Sequence, residues 1–146
     1  MADCLFCKII AGEIKGSLVY EDNDIVAIKD INPQAPLHAL VMPRRHIATI
    51  NDLTPADDSL VGSLFRVAAK LAAQHGYDKR GYRTVFNCNA EAGQSVFHIH
   101  LHVLPRRNGD KLSVAKGMLL RRDPDREATG QILREALARI DANQPD

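Results

Sequence analysis

Histidine occupies every second position of the segment FHIHLHVL, at His98, His100 and His102, with apolar residues between. This alternation constrains the local fold, because successive side chains of a β-strand point to opposite faces. We therefore predict a strand, SVFHIHLHVLP, whose three imidazoles share one face. The residues expected on the opposite face, toward the core, are Phe97, Ile99, Leu101 and Val103.

The residues alone leave three interpretations of the histidine face. A solvated strand face is the ordinary explanation of a lone histidine, but three of the six histidines stand here in strict alternation. A catalytic zinc site is the second, since paired histidines on a strand chelate metals, although it needs a third ligand and an open position. The third is nucleophilic catalysis, in which one imidazole attacks an acyl or phosphoryl centre while its neighbours orient it and move protons.

The apolar pattern elsewhere predicts four more strands. In chain order these are SLVYED, DIVAIKDI, HALVMP and YRTVFNCN. The turn-forming residues Asp22, Asn23 and Asp24 separate the first two strands, which favours a hairpin. The loop that holds Gly93 separates YRTVFNCN from the histidine strand.

Two helices complete the predicted fold. The first begins at Thr54, a good N-cap, with Pro55 in the first helical position, and ends near Gly76. Its apolar stripe comprises Leu60, Leu64, Val67, Ala68 and Leu71. A final helix carries a second stripe of Ile132, Leu133, Ala136, Leu137 and Ile140. The order of strands, helix, strands and helix favours an α+β fold with an antiparallel sheet.

Length and charge restrict the classes of function. With 146 residues, 45% of them hydrophobic, the chain is long enough for one domain and too short for two. We expect a single domain over residues 1–146, with residues 106–146 as a C-terminal extension. The net charge of +1 does not indicate a dedicated nucleic-acid binder and favours a small substrate or a protein partner. The start MADCLFCKII is typical of neither a secretory signal nor a membrane span, so a cytoplasmic protein without membrane partners is expected.

The three cysteines, Cys4, Cys7 and Cys88, are an odd number in a chain expected in the cytoplasm, so disulfides are disfavoured. Cys4 and Cys7 have the spacing of zinc ligands, although no second pair lies nearby, and a lone C-x-x-C is also typical of redox-active sites. Cys88 is expected to be a small core residue.

Several ordered segments resemble one known family. The segment HIHLHVL fits His-φ-His-φ-His-φ-φ, with φ apolar, which defines the histidine triad superfamily. DINPQAPLHALVMPRRH, GYRTVFNCN and AGQSVFHIHLHVLP are similar to segments of its Hint-like branch, and the resemblance covers roughly residues 4 to 105. The C-x-x-C start and the tail are more similar to bacterial members. The resemblance implies a five-stranded antiparallel sheet with a long central helix and a C-terminal helix, and a homodimer that joins two sheets into one.

The resemblance also implies the reaction and its catalytic residues. His100 is expected to attack the α-phosphorus of a nucleoside 5′-phosphoramidate, giving a nucleotidyl-histidine that water hydrolyses. His102 would contact the phosphate and assist proton movement, and His38 would complete the polar cluster. Ser95 would donate to the leaving group or to a phosphate oxygen. No catalytic cofactor is implied.

The substrate implied by the resemblance is a purine nucleotide, most simply of adenosine. Asp30 would accept hydrogen bonds from the ribose hydroxyls, a role that suits an acceptor-only carboxylate. Positions matching the base pocket are Phe6, Ile9, Ile14, Ile28, Ile31 and Leu40. Asn87 and Gly93 match the phosphate side, and Gln94 belongs to the same substrate-binding set.

In bacterial members with this start, a structural zinc ion is bound by residues matching Cys4, Cys7, His46 and His98. Two cysteines and two histidines form a closed tetrahedral set, which suits structure rather than catalysis. The small residues of the first long helix are expected to pack closely against a second chain. They are Gly62, Ala68, Ala69, Ala72 and Ala73.

Two other functions remain open. A diadenosine polyphosphate hydrolase is the alternative within the same fold. A nucleotide-binding or partner-binding regulatory module with weak turnover is the alternative from another class, although binding alone does not require the nucleophile His100.

Overall fold

Five strands form one antiparallel sheet in the computed structural model, which describes residues 3–107 and 125–142. The strands are β1 (Leu18–Glu21), β2 (Ile25–Lys29), β3 (Ala39–Pro43), β4 (Tyr82–Val85) and β5 (Leu101–Pro105). Their order across the sheet is β1-β2-β3-β5-β4, and every neighbouring pair is antiparallel. The helices are α1 (Leu5–Ile10), α2 (Asp58–Gln74), α3 (Tyr77–Arg80) and α4 (Arg126–Ala142). The predicted α+β class is confirmed.

The β1–β2 hairpin forms where the sequence predicted it. Asp22 organises the turn, because its Oδ1 accepts the backbone N–H groups of Asp24 (2.9 Å) and Ile25 (2.8 Å). This is the local hydrogen bonding that makes aspartate a turn residue. β2 then runs antiparallel to β3, with Ile28 opposite Leu40.

The strand β5 is shorter than predicted. It begins at Leu101, so the prediction of a strand over residues 95–100 is wrong. The chain bends at residues 96–98, and the N–H of Ile99 bonds to the carbonyl of Ile47, beyond the end of β3. Phe97 is 46% exposed instead of lying in the core, because it sits within this bend. The burial of Ile99, Leu101 and Val103 agrees with the prediction. β4 is also shorter than predicted, ending at Val85 and not at Asn89.

The start of α2 is more elaborate than a single N-cap. Thr54 caps a short 3-10 turn, Pro55–Asp57, and α2 follows directly from Asp58. The Asp57 carboxylate accepts the Thr54 N–H (2.8 Å) and hydroxyl (3.1 Å), and it also pairs with Arg45. This capping box fixes the direction in which the helix leaves the turn.

Each face of the sheet carries its own apolar cluster. The predicted stripe of α2 packs against one face, with Leu64, Val67 and Ala68 buried and Leu60 and Leu71 partly buried. The opposite face packs against α1 in a second cluster, consisting of Phe6, Ile9, Val26, Ile28, Leu40 and Met42. The sequence analysis did not predict α1, whose signal is the spacing of the buried residues Phe6 and Ile9.

Replacing Leu64 with Ala is expected to lower the free energy of unfolding by about 2–5 kcal/mol, because the side chain is fully buried and leaves a cavity. Urea unfolding of both proteins measures the difference. Leu133→Ala is the matched control, since Leu133 is also helical but 59% exposed, and its change should stay within about 0.5 kcal/mol. Equal effects of the two substitutions would contradict the assigned core.

The chain divides into two compact units, Met1–Asn108 and Gly109–Asp146. In the second unit, α4 confirms the predicted final helix. Its large apolar side chains are 56–65% exposed; they are Ile132, Leu133, Leu137 and Ile140. The organisation of residues 1–146 as one domain with an extension stays a prediction. None of the helices within residues 3–107 and 125–142 is long and apolar enough to cross a bilayer.

Candidate functional site

Three of the predicted catalytic side chains lie together on the α1 side of the sheet. His102 is in β5 directly opposite Leu40, and His38 immediately precedes β3. His38 Nε2 lies 2.9 Å from His102 Nδ1, and the His100 and His102 rings are 4.9 Å apart between centroids. The fold therefore assembles the predicted cluster of His38, His100 and His102.

A strained turn places His38 in this cluster. Leu37 has φ of 62°, a left-handed conformation that costs a branched side chain on the order of 1 kcal/mol. The His38 N–H closes the turn on the carbonyl of Ala35 (3.2 Å), while the Gln34 N–H donates to His38 Nδ1 (3.0 Å). The surrounding turn thus fixes both the backbone and the ring of His38.

These hydrogen bonds determine where the protons of the neutral imidazoles lie. Because a backbone N–H only donates, Nδ1 of His38 accepts from Gln34, and Nε2 carries the proton. His38 Nε2–H then donates to His102 Nδ1. The Asp30 carboxylate lies 3.4 Å from His38 Nε2. It follows that His102 carries its own proton on Nε2.

The same reasoning leaves His100 with an available lone pair. Its Nδ1 lies 2.8 Å from the carbonyl oxygen of His98, which only accepts, so Nδ1 carries the proton. Nε2 is therefore unprotonated and nucleophilic. The Phe6 ring packs edge-on against the His100 ring at 5.0 Å, which restricts the imidazole further.

Burial keeps the histidines neutral. Burial lowers the pKa values of His38, His98 and His100. In each case a hydrogen bond or the charge of Asp30 offsets only part of this effect. For His102, burial and then the neighbouring His100 and His38 lower the pKa to about 4. Since a protonated imidazole has no lone pair on either nitrogen, this environment favours the nucleophilic form.

Acidification from pH 6.5 to 4 is expected to destabilise the fold. In this window His102 is protonated in the unfolded chain and stays neutral in the folded chain, so the free energy of unfolding falls as pH falls. The contribution of His102 is on the order of 3 kcal/mol at most. Urea unfolding at several pH values measures it. Backbone hydrogen bonds lower the pKa values of Asp22 and Asp57, so their contributions are lost mainly below about pH 4. A flat profile between pH 6.5 and 4 would show that the histidines are solvated.

A second cluster, formed by Cys4, Cys7, His46 and His98, lies beside the first. Its four ligand atoms all lie within 4.8 Å of one another. His98 Nδ1 is 3.6 Å from Cys4 Sγ and 3.5 Å from Cys7 Sγ, and His46 Nδ1 is 3.4 Å from Cys7 Sγ. Sulfur and nitrogen ligands of one tetrahedral zinc ion lie about 3.5 Å apart, given their bond lengths to zinc. The predicted metal ligands therefore fit a zinc ion.

His98 is oriented toward this cluster by the main chain. Its Nε2 lies 2.7 Å from the carbonyl oxygen of Pro43, so Nε2–H donates and Nδ1 is left with a lone pair facing the two thiols. Burial and the hydrogen bond with Cys4 raise the pKa of the Cys7 thiol. Cys4 also begins α1 as its N-cap, where its Sγ accepts from the Cys7 N–H at 3.4 Å.

The predicted base-pocket residues divide into two groups. Phe6, Ile9, Ile28 and Leu40 are buried together beside the histidines. Ile31, 88% exposed, and Ile14, 39% exposed, do not belong to that buried cluster. Asp30 stands at the end of β2 with its side chain 16% exposed, and its Oδ1 accepts the Asn32 N–H at 2.8 Å.

The loop between β4 and β5 holds the remaining predicted residues. Gln94 is 3% exposed, and its amide bonds to the backbones of Ala48 (2.7 Å) and Asn89 (2.8 Å). These bonds stabilise the loop, and the predicted contact of Gln94 with substrate stays a prediction. Gly93 has φ of 91° and ends a 3-10 turn. Exposed Ser95 lines a cavity of about 510 Å³ shared with Cys4 and His46, and Asn87 is half-buried.

The sequence analysis missed three groups that orient the site. They are the backbone N–H of Gln34 and the carbonyl oxygens of Pro43 and His98. Main-chain groups leave no residue-type signal. The proline-flanked run NPQAPLH was the one indication that a tight turn precedes His38.

The amino-acid sequence matches one family model and several characterised and uncharacterised relatives. Residues 3–116 match the family model described as scavenger mRNA decapping enzyme C-term binding. An uncharacterised HIT-like protein of Mycobacterium tuberculosis is 52% identical, over 98% of this chain and 99% of the relative. The purine nucleoside phosphoramidase of Escherichia coli K12 is 40% identical, over 80% of this chain and 98% of the enzyme.

Solved structures agree with the sequence matches. A HIT family hydrolase from Legionella pneumophila superposes with a TM-score of 0.70 at 51% identity, covering 72% of this chain and 94% of its own. A zinc-bound histidine triad family protein from Mycobacterium smegmatis superposes with a TM-score of 0.68 at 40% identity, covering 98% and 99%.

Proposed function

The chain belongs to the histidine triad family, and on that premise we propose that it hydrolyses purine nucleoside 5′-phosphoramidates through a nucleotidyl intermediate on His100. The observation that carries the proposal is the unprotonated Nε2 of His100, fixed by the hydrogen bond from Nδ1–H to the His98 carbonyl. The 40% identity with the phosphoramidase of E. coli supports the choice of substrate class.

The first step transfers the nucleotidyl group to the enzyme. His100 Nε2 attacks the α-phosphorus, a P–N bond to the imidazole forms, and the P–N bond to the amine breaks. The His102 Nε2–H donates to a phosphate oxygen on which charge accumulates. The amine leaves with a proton relayed from solvent, the role that we predict for the exposed hydroxyl of Ser95.

The second step regenerates the enzyme. Water attacks the phosphorus, the bond to His100 Nε2 breaks, and the imidazole recovers its lone pair while one proton returns to solvent. The His98 carbonyl stabilises the positive charge on the nucleotidylated ring, because it accepts the hydrogen bond from Nδ1–H. One water is consumed, and the products are a nucleoside monophosphate and an amine.

The neighbouring residues supply the nucleoside end of the proposed site. Asp30 lies beside His38, and its carboxylate retains acceptor capacity for the two ribose hydroxyls. Phe6, Ile28 and Leu40 offer an apolar wall next to His100, which suits a flat purine base.

A substrate panel tests the proposal. Adenosine and guanosine 5′-phosphoramidates should be cleaved with a kcat/KM well above that of diadenosine polyphosphates under identical conditions. The reverse ranking would instead support a diadenosine polyphosphate hydrolase. Nucleotide binding without turnover of any of these compounds would support a regulatory module.

We also propose that Cys4, Cys7, His46 and His98 hold a structural zinc ion. The separations of the donor atoms and the zinc-bound relative from M. smegmatis support this assignment. When bound, the ion would cross-link α1 to the segment after β3 and to His98. It would have no part in the reaction, because a closed four-ligand set leaves no position for substrate.

The protein is expected to be a homodimer. Ala68 is buried against the chain's own sheet and Ala72 is also buried, so neither side chain is exposed for the predicted contact. The exposed residues Phe65, Ala69 and Ala73 of α2 remain available for contact. Light scattering at micromolar concentration measures the mass, and the mass of one 16.1 kDa chain would contradict the expectation.

A further inference from the structure

Four positively charged side chains line a cavity of about 500 Å³ outside the histidine cluster. Lys79 and Arg80 come from the end of α3, and Arg106 and Arg107 directly follow β5. No acidic side chain contributes to the lining among the residues that the structure describes. The proposed reaction assigns none of these four residues a role.

The backbone holds the two pairs of cations together. The Arg106 N–H donates to the carbonyl of Gly81 at 3.0 Å, and Tyr82 pairs with Pro105 at the adjoining end of β4 and β5. Gly81, with φ of 107°, lets the chain turn directly from α3 into β4. The main chain at the end of β4 and β5 thus brings the two pairs of cations to one cavity.

The concentration of charge is unusual for this chain. Its net charge is only +1, yet four cations converge on one cavity, where like charges repel one another. Arg44, Arg45 and Arg134 each pair with a carboxylate. In contrast, Lys79, Arg80 and Arg107 form no ion pair with any described residue. The dipole of the short α3 helix favours cations at its end, but that accounts for Lys79 and Arg80 and not for Arg107.

We propose that this cavity binds a chain of linked phosphates. Arginine matches phosphate oxygens through two parallel hydrogen bonds. Three of the four side chains that line the cavity carry guanidinium groups: Arg80, Arg106 and Arg107. A triphosphate carries several negative charges near neutral pH, which complement the three lining cations that form no ion pair with a described residue, Lys79, Arg80 and Arg107. A cavity of about 500 Å³ is also within the usual size of a small-ligand site.

The cavity is separate from the reaction centre. His102 and Arg106 are four residues apart along an extended segment, which corresponds to about 13 Å. No histidine is among the described residues that line the cavity. The ligand is either free oligophosphate or the triphosphate of a nucleotide, and both present the same chemistry to the four cations.

Isothermal titration calorimetry with sodium tripolyphosphate tests the proposal. The wild type should bind one tripolyphosphate per chain, and the double variant Lys79→Gln/Arg107→Gln should bind at least about 10-fold more weakly, since it loses two charged contacts. Lys70→Gln/Arg126→Gln is the matched control, because both of its sites are exposed and its net charge changes equally. That control should bind like the wild type.

Two further ligands identify the source of the phosphates. ATP binding that is tighter than tripolyphosphate and equally sensitive to the Lys79/Arg107 pair assigns the site to a nucleotide triphosphate. Equal or weaker ATP binding assigns it to free oligophosphate. The proposal is overturned by absent saturable binding, by equal loss in the control variant, or by tighter binding of single-stranded RNA. Phosphoramidate turnover by the Lys79/Arg107 variant should be unchanged, which keeps this test independent of the proposed reaction.

Discussion

His100→Ala is expected to lower kcat for an adenosine phosphoramidate by roughly 10⁴- to 10⁶-fold, the range found when a covalent nucleophile is removed. The reason is geometric. Among the three histidines of the motif, His98 directs its lone pair at the thiols and His102 uses its Nδ1 lone pair to accept from His38. Only the Nε2 of His100 is left to attack.

Nucleotide binding should survive this substitution, because the carboxylate of Asp30 and the apolar wall are untouched. Steady-state kinetics and equilibrium binding of adenosine monophosphate separate the two effects. His75→Ala is the matched control, since His75 is an exposed histidine at the end of α2 and should leave turnover unchanged. Ser95→Ala should slow turnover less, by roughly 10- to 1000-fold, as expected for one proton-transfer group.

Trapping of the intermediate provides the direct test. Acid-free quenching with a labelled phosphoramidate, followed by peptide mass analysis, should place the nucleotidyl group on His100. A label on His98 or His102, or normal turnover by the His100→Ala variant, would contradict the mechanism.

Cys7→Ser is expected to cause the second large effect, the loss of bound zinc together with several kcal/mol of folding stability. Cys7 Sγ lies within 3.5 Å of the Nδ1 atoms of both His46 and His98, so its loss removes a ligand that contacts both histidines of the cluster. Elemental analysis should find one zinc per wild-type chain and none in the variant, and thermal unfolding measures the loss of stability.

Cys88→Ser serves as the control, because Cys88 is half-buried and lies outside the four-residue cluster. It should keep its zinc. A chelator should lower the stability of the wild type without promptly stopping turnover, whereas a histidine-metal hydrolase would lose activity at once. Absence of zinc from wild-type protein prepared with added zinc would refute the assignment.

Side-chain patterns were sufficient to predict much of this fold. The spacing of Leu64, Val67 and Ala68 predicted the buried face of α2, and Asp22 predicted the first turn. The alternation of Ile99, Leu101 and Val103 predicted which side chains enter the core, even though half of that segment is not a strand. Burial follows side-chain chemistry, so it is visible in the sequence.

Which nitrogen of each imidazole carries the proton could not be predicted in this way. They depend on which main-chain group each imidazole meets, and those contacts join residues far apart in the chain, such as His98 with Pro43. The bend that exposes Phe97 depends equally on a long-range backbone bond, from Ile99 to Ile47. The roles of the histidines therefore required the fold as well as the motif.

The contact between His98 and Pro43 bears on how far the proposed reaction depends on the proposed zinc site. The His98 ring has a hydrogen-bond partner outside the cysteine cluster, a backbone carbonyl oxygen that any residue at position 43 would supply. The carbonyl of the same residue, His98, aligns the His100 ring. We therefore expect that apolar residues in place of Cys4 and Cys7 would leave the His100 ring, held by the His98 carbonyl, in the same orientation.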